Sequence, residues 1–334
     1  MLLVNDPGDW GHVFAPLEHA AWHGLTPADL IFPFFLFIVG VSIALALAPR
    51  VEGGYTQGLS RSVIGRALRI VLLGLALHAA AWWLMDTHAF RPMGVLQRIG
   101  VCYGIVGLLA IHARARAQWA ICVAILVGYW ALLVWGGPLT KEANLASRID
   151  TALLGHFTYE FDAATGRGHD AEGVLSTMPA IATTIIGLRA GAWLRSGSIK
   201  RLMLAGAITL VLGAAWASVL PLNKQLWTSS YVLVTAGAAM LLLALAHALI
   251  DRRGWPAIGR CLGINAIAIY AAAWLAVCVL EGFGWGARLY AAGFGWITPW
   301  AGPFVASLAY ALAFVALFWL AAWVLDRRGI RISV

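Results

Sequence analysis

The feature that most constrains this fold is a series of nine continuous apolar runs, each close to 20 residues long. A helix of about 20 residues crosses a hydrocarbon core of about 30 Å, so each run is long enough to span a bilayer. The runs do not alternate polar with apolar residues, which argues against a barrel. The sequence therefore predicts an all-α, polytopic transmembrane bundle forming one domain over residues 1–334, with spans near 27–48, 63–84, 94–112, 117–135, 173–194, 201–220, 228–249, 261–281 and 302–325.

The composition agrees with this interpretation, since 61% of the residues are hydrophobic and only 11% are charged. A soluble domain carries about a quarter of charged residues, so this chain cannot cover a water-facing surface of ordinary size. The excess positive charge, +8 in total, lies mainly in short loops between the apolar runs, where basic residues set the orientation of membrane proteins. We therefore expect the protein to contact membrane lipid and not to bind nucleic acid. The four cysteines lie inside apolar runs without disulfide or metal spacing and are interpreted as buried packing residues.

The basic residues sort into alternate loops, and this pattern predicts the orientation of the bundle. Loops rich in Lys and Arg face the cytoplasm. Residues 1–26 and the long polar loop at about 136–172 then lie outside, the C-terminus lies in the cytoplasm, and the long loop is predicted to be a lid or a substrate-binding excursion. The residues assigned to the cytoplasmic set are Arg50, Arg61, Arg66, Arg69, Arg114, Arg116, Arg195, Lys200, Arg201, Arg252, Arg253, Arg260, Arg327, Arg328 and Arg331.

Candidate acid–base residues precede the first predicted span. Glu18, His19 and His23 lie close together, and Asp29 follows Thr26-Pro27 in the first turn of the span. Asp29 has two interpretations, as a helix cap at the positive end of the dipole or as a functional carboxylate. The histidines are either solvated loop residues or a base that deprotonates an amine or hydroxyl. A metal site is not predicted, because no third ligand is spaced to join them.

Polar residues at or inside the apolar runs form a second candidate set. Arg66 and Arg69 lie one turn apart, either as ordinary cytoplasmic charges or as an anion clamp. Gln97 and Arg98 open a span, where a charge is costly unless it faces the bundle interior. Further polar residues predict a cavity within the bundle, and they are Glu172, Ser176, Asn223, Lys224, Trp227 and Asn265.

These residues carry a resemblance to a known family. The run from residue 19 to 40, HAAWHGLTPADLIFPFFLFIVG, resembles the signature of heparan-α-glucosaminide N-acetyltransferase and its bacterial NagX-type relatives. Four shorter blocks follow in family order, and the resemblance covers residues 2 to about 270. The blocks are GVLQRIG at 94–100, EGVLSTMPAI at 172–181, NKQLWTSSY at 223–231 and GINAI at 263–267.

The resemblance implies acetyl transfer across a bacterial inner membrane. Acetyl-CoA would be the cytoplasmic donor, and the acceptor would be the amine or hydroxyl of a periplasmic amino sugar such as glucosamine. His19 matches the active-site histidine of the family, Asn5 matches its asparagine near the start, and Asp29 completes the predicted catalytic set. His19 would act either as a covalent acetyl carrier or as a general base for direct attack, and we favour direct attack.

The resemblance also assigns the remaining polar residues and leaves other functions open. Relatives begin with a further helix, so we expect a tenth span when it is restored. An N-acetylglucosamine transporter is the alternative function, although no internal repeat supports it. A noncatalytic scaffold would not explain why costly polar residues lie inside the membrane. A homodimer is compatible with the sequence.

Predicted cofactor-binding residues are Arg66, Arg69, Gln97, Arg98, Ser176 and Asn265, and predicted substrate-binding residues are Glu18, His23, Glu172, Asn223, Lys224 and Trp227.

Overall fold

A computed structural model describes residues 1–54, 58–85 and 90–332. Within these ranges the chain is helical, and extended pairing is limited to one antiparallel bridge between Asp162 and Arg167. The α-helices are α1 (Leu2–Asn5), α2 (Ile31–Glu52), α3 (Leu59–Leu84), α4 (Val95–His112), α5 (Ala115–Trp135), α6 (Leu145–Leu154), α7 (Thr177–Arg195), α8 (Ile199–Trp216), α9 (Ser229–Ala246), α10 (Arg260–Ile264), α11 (Ala266–Gly282), α12 (Trp285–Phe294), α13 (Thr298–Ala301) and α14 (Pro303–Arg327).

The prediction of an all-α membrane protein is confirmed. In the described ranges, seven helices are long and apolar enough to cross a bilayer: α3, α4, α5, α8, α14, α2 with the 3₁₀ turn Pro27–Leu30, and α9 with its π-helical extension His247–Arg252. An eighth candidate is α11 together with Trp285–Ala301, although the two halves meet at 94°. The protein is therefore a multi-pass membrane protein, and the predicted count of nine spans is close to the seven or eight observed.

The helix α7 explains most of the difference in count. It was predicted as a span near 173–194, and a helix does form there, but it is not among the seven apolar ones. Its buried residues include Thr183 and Thr184, and it packs extensively against α2 at the centre of the bundle. A helix surrounded by other helices does not need the fully apolar surface that lipid requires. Burial within protein therefore permits its lower hydropathy.

Two glycines allow α2 and α7 to approach each other closely. A Cβ atom built on Gly40 would lie 2.1 Å from the carbonyl oxygen of Thr184, and one on Gly187 would lie 2.0 Å from that of Phe37. Neither backbone oxygen can rotate away as a flexible side chain would. Small residues at such crossings let transmembrane backbones pack directly on each other. The crossing fixes the position of α2, and the 3₁₀ turn Pro27–Leu30 that leads into α2 carries Asp29.

We therefore predict that Gly187→Ala destabilises the protein by about 1–3 kcal/mol or more, because the added methyl must push two backbones apart. The measurement is denaturant or thermal unfolding of the detergent-solubilised protein. Gly128→Ala in α5 is the matched control, since a Cβ there would meet nothing within 4 Å. Equal effects of the two substitutions would contradict this account of the crossing.

The long loop, residues 136–176, folds over the face of the bundle where α2 begins. It contains α6 and the 3₁₀ turn Gly155–Phe157. Trp22 Nε1 donates a hydrogen bond of 2.7 Å to the carbonyl oxygen of Leu139, and the Trp22 ring lies 5.2 Å from the ring of His169. We call this the His19 face. The loop and the segment that carries His19 thus form one packed layer.

Candidate active site

A cavity of about 660 Å³ opens at the His19 face. Its walls come from the first turn of α2, the end of α3, the start of α4, the middle of α11 and the long loop. The structure brings four of the predicted site residues to this cavity. They are Asn5, His19, Glu172 and Lys224, and they lie beside Asp6, Trp10, His78, Arg91, Tyr159, Glu160, Tyr270 and Trp274.

His19 and Asp29 form a hydrogen-bonded pair at the edge of this cavity. His19 Nδ1 donates to Asp29 Oδ1 at 2.8 Å, because an ionised carboxylate can only accept. Asp29 is buried, whereas the His19 side chain is 41% exposed and lines the cavity. A histidine whose Nδ1 carries the proton has its lone pair on Nε2. The pair therefore presents an oriented base to the cavity.

The local sequence explains why Asp29 points at His19. Thr26 and Pro27 start the helix, and Asp29 occupies the third position of its first turn. Asp29 Oδ2 accepts hydrogen bonds from Thr26 N and Ala20 N at 3.0 and 3.1 Å, which complete a capping arrangement. Oδ1 remains for His19. One oxygen of the carboxylate thus caps the helix, while the other accepts the hydrogen bond from His19.

The other predicted substrate-binding residues lie beside the cavity without lining it. Glu18 is exposed, and its carbonyl oxygen accepts a hydrogen bond from Thr26. Asn223 Nδ2 donates to His23 Nδ1 at 3.3 Å, and burial lowers the pKa of His23. Trp227 is buried beneath the site, where its Nε1 donates to Thr183 Oγ1 at 3.1 Å. These residues support the cavity from outside its surface.

Arg91 organises one wall of this cavity, although it was not predicted as a site residue. Its guanidinium group forms ion pairs with Asp170 and Glu172, the latter at 2.5 Å, and lies 4.1 Å from the ring of Tyr159. Burial works to raise the pKa of Glu172, but Arg91 and Arg98 outweigh it and hold that pKa low. Glu172 is therefore an anionic wall residue, available to bind donors on a ligand.

Asp6 is a second cavity residue that sequence reasoning missed. It follows Asn5 directly, and burial raises its pKa to about 7. Its position next to a matched family residue was the one available signal. Tyr270 and Trp274 line the cavity with their aromatic rings. No sequence pattern marked them as site residues, because only the tertiary fold brings α11 to this cavity.

Arg98, Gln97 and Ser176 lie in the interior between helices. Arg98 is fully buried, donates to Ser176 Oγ and the carbonyl oxygen of Gly173, and lies 5.1 Å from the ring of Trp227. None of the three lines the cavity at the His19 face or the second cavity described next. Arg98 thus ties α4 to the start of α7 and to Trp227.

A second cavity of about 460 Å³ runs along α2 away from the His19 face. Ile31 lines both cavities, whereas Leu47, about 24 Å further along the helix, lines only the second. Arg66 lines it, and its buried Nε has no hydrogen-bond partner among the described residues. The neighbouring Arg69 is exposed and does not line either cavity.

Asn265 also lines the second cavity, but its amide already has partners. Nδ2 donates to the carbonyl oxygen of Ile330 at 3.1 Å, and Oδ1 accepts from Ile332 N at 2.8 Å. The side chain thereby holds residues 330–332 against the break between α10 and α11. Asn265 contributes to the shape of the cavity through this contact.

The long loop contains a buried histidine that makes its docking sensitive to acid. Burial lowers the pKa of His169, whose Nδ1 is hydrogen-bonded to Ser147 Oγ at 2.7 Å. A pKa depressed in the folded state contributes stability above the unfolded value of about 6.5, and this is lost as pH falls. Asp150 in α6 acts in the opposite sense, because burial raises its pKa to about 6, so its charged form costs stability as pH rises through that value.

We predict that the protection factors of the amides of residues 136–176, after correction for the pH dependence of intrinsic exchange, decrease as pH falls below about 6.5, because His169 takes up a proton more readily in the undocked loop than in its buried position. His169→Gln should weaken this acid sensitivity while leaving the opposite contribution of Asp150 in place. His156→Gln, in the same loop but outside this contact, is the control. An identical pH dependence in the wild type and His169→Gln would exclude His169 as the cause.

No group of three or more His, Cys, Asp or Glu residues suited to hold a metal ion occurs within the described ranges. The His19 face presents a histidine base, carboxylates and cationic side chains.

Comparison with known proteins identifies the family. Residues 10–213 match the family described as heparan-alpha-glucosaminide N-acetyltransferase, catalytic. The heparan-alpha-glucosaminide N-acetyltransferases of Mus musculus and Homo sapiens are each 27% identical to this chain over 81% of its length. The match covers 50% of each relative, so the chain spans about half the length of these curated proteins. Since the family match extends over more than half of the chain and includes His19 and Asp29, this protein belongs to the heparan-alpha-glucosaminide N-acetyltransferase family.

Proposed function

We propose that this protein is a transmembrane acetyltransferase that moves an acetyl group from cytoplasmic acetyl-CoA to the amine of an amino sugar on the other side of the membrane. The observation that carries the proposal is the His19–Asp29 pair, with its Nδ1–Oδ1 distance of 2.8 Å, at the edge of a cavity of about 660 Å³ whose lining includes Glu172, Arg91 and Lys224. The names of the relatives supply the acetyl group and the amino-sugar class.

The second cavity supports the donor side of this proposal. Its walls are mostly apolar, and Arg66 places one cationic group among them with an unsatisfied Nε. A largely apolar cavity that follows α2 beside a guanidinium group suits a ligand with an extended arm and phosphates. Arg66 is the residue that would bind a phosphate of acetyl-CoA. Ile31 lines both cavities, so the two adjoin at the start of α2.

In the mechanism we propose, His19 acts as the general base. Acetyl-CoA supplies an activated thioester carbonyl. His19 Nε2 takes a proton from the acceptor amine as the amine nitrogen bonds to the carbonyl carbon. Asp29 stabilises the resulting imidazolium of His19 by accepting a hydrogen bond from its Nδ1–H. Glu172 and Asp6 would bind hydroxyl or ammonium donors of the sugar. The covalent alternative, an acetyl group carried on His19, uses the same nitrogen.

The proposal is tested with protein reconstituted in sealed vesicles. Acetyl-CoA, which does not cross a bilayer, is enclosed, and glucosamine is added outside; N-acetylated sugar and released CoA are quantified by mass spectrometry. We expect product with glucosamine and none with glucose, which lacks the amine. Absence of product from both vesicle orientations with a panel of amino sugars would overturn the proposed function.

The orientation expected from the basic loops is tested by the same vesicles. A protease added outside should cleave the long loop in molecules that use external glucosamine. Product formation only in vesicles whose long loop is protected from protease would contradict the predicted sidedness.

A further inference from the structure

A short, strained turn lies under the His19 cavity. In residues 223–228, Leu226 N donates to Asn223 Oδ1 at 2.7 Å, and Thr228 N donates to the carbonyl oxygen of Asn223 at 3.1 Å. Trp227 has a φ of 53°, and among the described residues it is the one non-glycine residue with a positive φ. Such a conformation costs about 1–3 kcal/mol and persists where surrounding contacts over-determine it. The turn therefore holds its members in one arrangement.

Lys224 projects from this turn toward the catalytic pair. Its Nζ lies 3.9 Å from Asp29 Oδ1, the same oxygen that accepts the hydrogen bond from His19. This separation exceeds the length of a hydrogen bond, so the ammonium group does not donate a hydrogen bond to Asp29. Lys224 lines the same cavity as His19, and its side chain is only 18% exposed. A cation held beside the base thus has donors available for a ligand.

The surroundings of Lys224 strengthen any hydrogen bond that it makes. Burial lowers its pKa, and the carboxylates of Glu172 and Asp29 oppose that effect. A poorly hydrated ammonium group interacts more strongly with a developing negative charge than one in bulk water. Its position is also fixed before a ligand arrives, which removes the cost of reorganisation during reaction.

We propose that Lys224 is a further catalytic residue, whose ammonium group donates a hydrogen bond to the carbonyl oxygen of the acetyl thioester. This inference rests on the proposed function. The acceptor nitrogen bonds to the carbonyl carbon, the carbon–sulfur bond breaks, and His19 Nε2 passes the amine proton to the thiolate leaving group. Lys224 stabilises the negative charge that builds on the oxygen and keeps its own protons throughout.

The first test compares Lys224→Met with the wild type. Loss of one donor to a developing oxyanion costs about 10²–10³ in kcat, so we expect that decrease with KM for both substrates changed by less than about threefold. Lys141→Met is the matched control, because Lys141 pairs with Glu160 at 2.5 Å on the rim of the same cavity. If Lys224 only neutralised the charge of Asp29, Lys224→Met would shift the pH profile of kcat without lowering the maximum value of kcat.

Rescue separates the role of the charge from that of folding. In Lys224→Cys, treatment with bromoethylamine restores an ammonium group at nearly the original length, and at least a tenfold recovery of kcat is expected. The native thiols of Cys102, Cys122, Cys261 and Cys278 are buried and leave the new thiol as the accessible target. No recovery with a fully alkylated, folded protein would overturn the proposal.

A spectroscopic readout does not depend on turnover. In the His19→Ala background, the infrared carbonyl stretch of bound acetyl-CoA carrying ¹³C at the carbonyl should lie at lower frequency than in water, and Lys224→Met should remove that shift. An unchanged shift would contradict the hydrogen bond. Wild-type protein that forms no N-acetyl product would overturn the proposed function and this inference together, whereas an active wild type with an equally active Lys224→Met would overturn the inference alone.

Discussion

Replacement of His19 by alanine is expected to abolish acetyl transfer while leaving acetyl-CoA binding intact. The side chain supplies the one base that is hydrogen-bonded to Asp29 and lines the cavity at the start of α2. Proton transfer by a positioned base contributes about 10²–10⁴ to a rate, so we expect kcat to decrease by at least a hundredfold. The measurement is product formation in the sealed vesicles, together with the thermal stabilisation that acetyl-CoA gives to wild type and variant.

The chain provides a matched control for this experiment. His12 Nδ1 contacts Asp9 Oδ2 at 2.7 Å, nearly the geometry of the His19–Asp29 pair, but neither residue lines a described cavity. His12→Ala should therefore retain the wild-type kcat. If His19→Ala retained more than about a tenth of the wild-type kcat, general-base catalysis and the covalent route through His19 would both be excluded.

Asp29→Asn is expected to separate the structural role of this residue from its catalytic role. The amide oxygen of asparagine can still accept the hydrogen bonds from Thr26 N and Ala20 N, so Tm should change little. Asparagine cannot stabilise an imidazolium as an anion does, and its amide can favour the wrong tautomer of His19. Loss of the equivalent carboxylate in a histidine-based site costs about 10⁴ in kcat, which we take as the order of magnitude expected here.

Asp9→Asn serves as the control for Asp29→Asn, because it changes the carboxylate of the second His–Asp pair. We expect no change in kcat from Asp9→Asn. A large decrease in Tm with Asp29→Asn, followed by recovery of activity at low temperature, would show that Asp29 acts on stability alone. Near-normal kcat in a stable Asp29→Asn would contradict the role assigned to the pair.

The helices, and His19 and Asp29 as candidate residues, were predictable because each depends on a short stretch of sequence. Apolar runs of membrane-spanning length dictate helices, since no other open structure satisfies its backbone hydrogen bonds in lipid. Asp29 follows Thr26-Pro27 at a spacing that defines a helix start, and His19 lies ten residues earlier in the same segment. The distance between their side chains depends on this local chain and hardly on the rest of the bundle.

The arginines show what local sequence could not resolve. Arg66, Arg69 and Arg98 all lie in apolar helices, yet Arg66 lines the second cavity, Arg69 is exposed and Arg98 is buried against Ser176. Arg91 was not predicted as a site residue, but it pairs with Asp170 and Glu172 about 80 positions later in the chain. These outcomes are set by helix rotation and by contacts between distant segments.

The sequence by itself determined the apolar helices, the family resemblance and the choice of His19 and Asp29 as candidate residues, because hydropathy, capping and a contiguous motif act over a few turns of chain. Only the tertiary structure decided that Asn265 holds residues 330–332 and that Arg91 pairs with Glu172. It also decided that Lys224 Nζ lies 3.9 Å from Asp29 Oδ1, the oxygen that accepts the hydrogen bond from His19. Each of these contacts joins segments far apart in the sequence. Their geometry depends on how closely backbones cross, as at Gly40 and Gly187, and no local pattern encodes that distance.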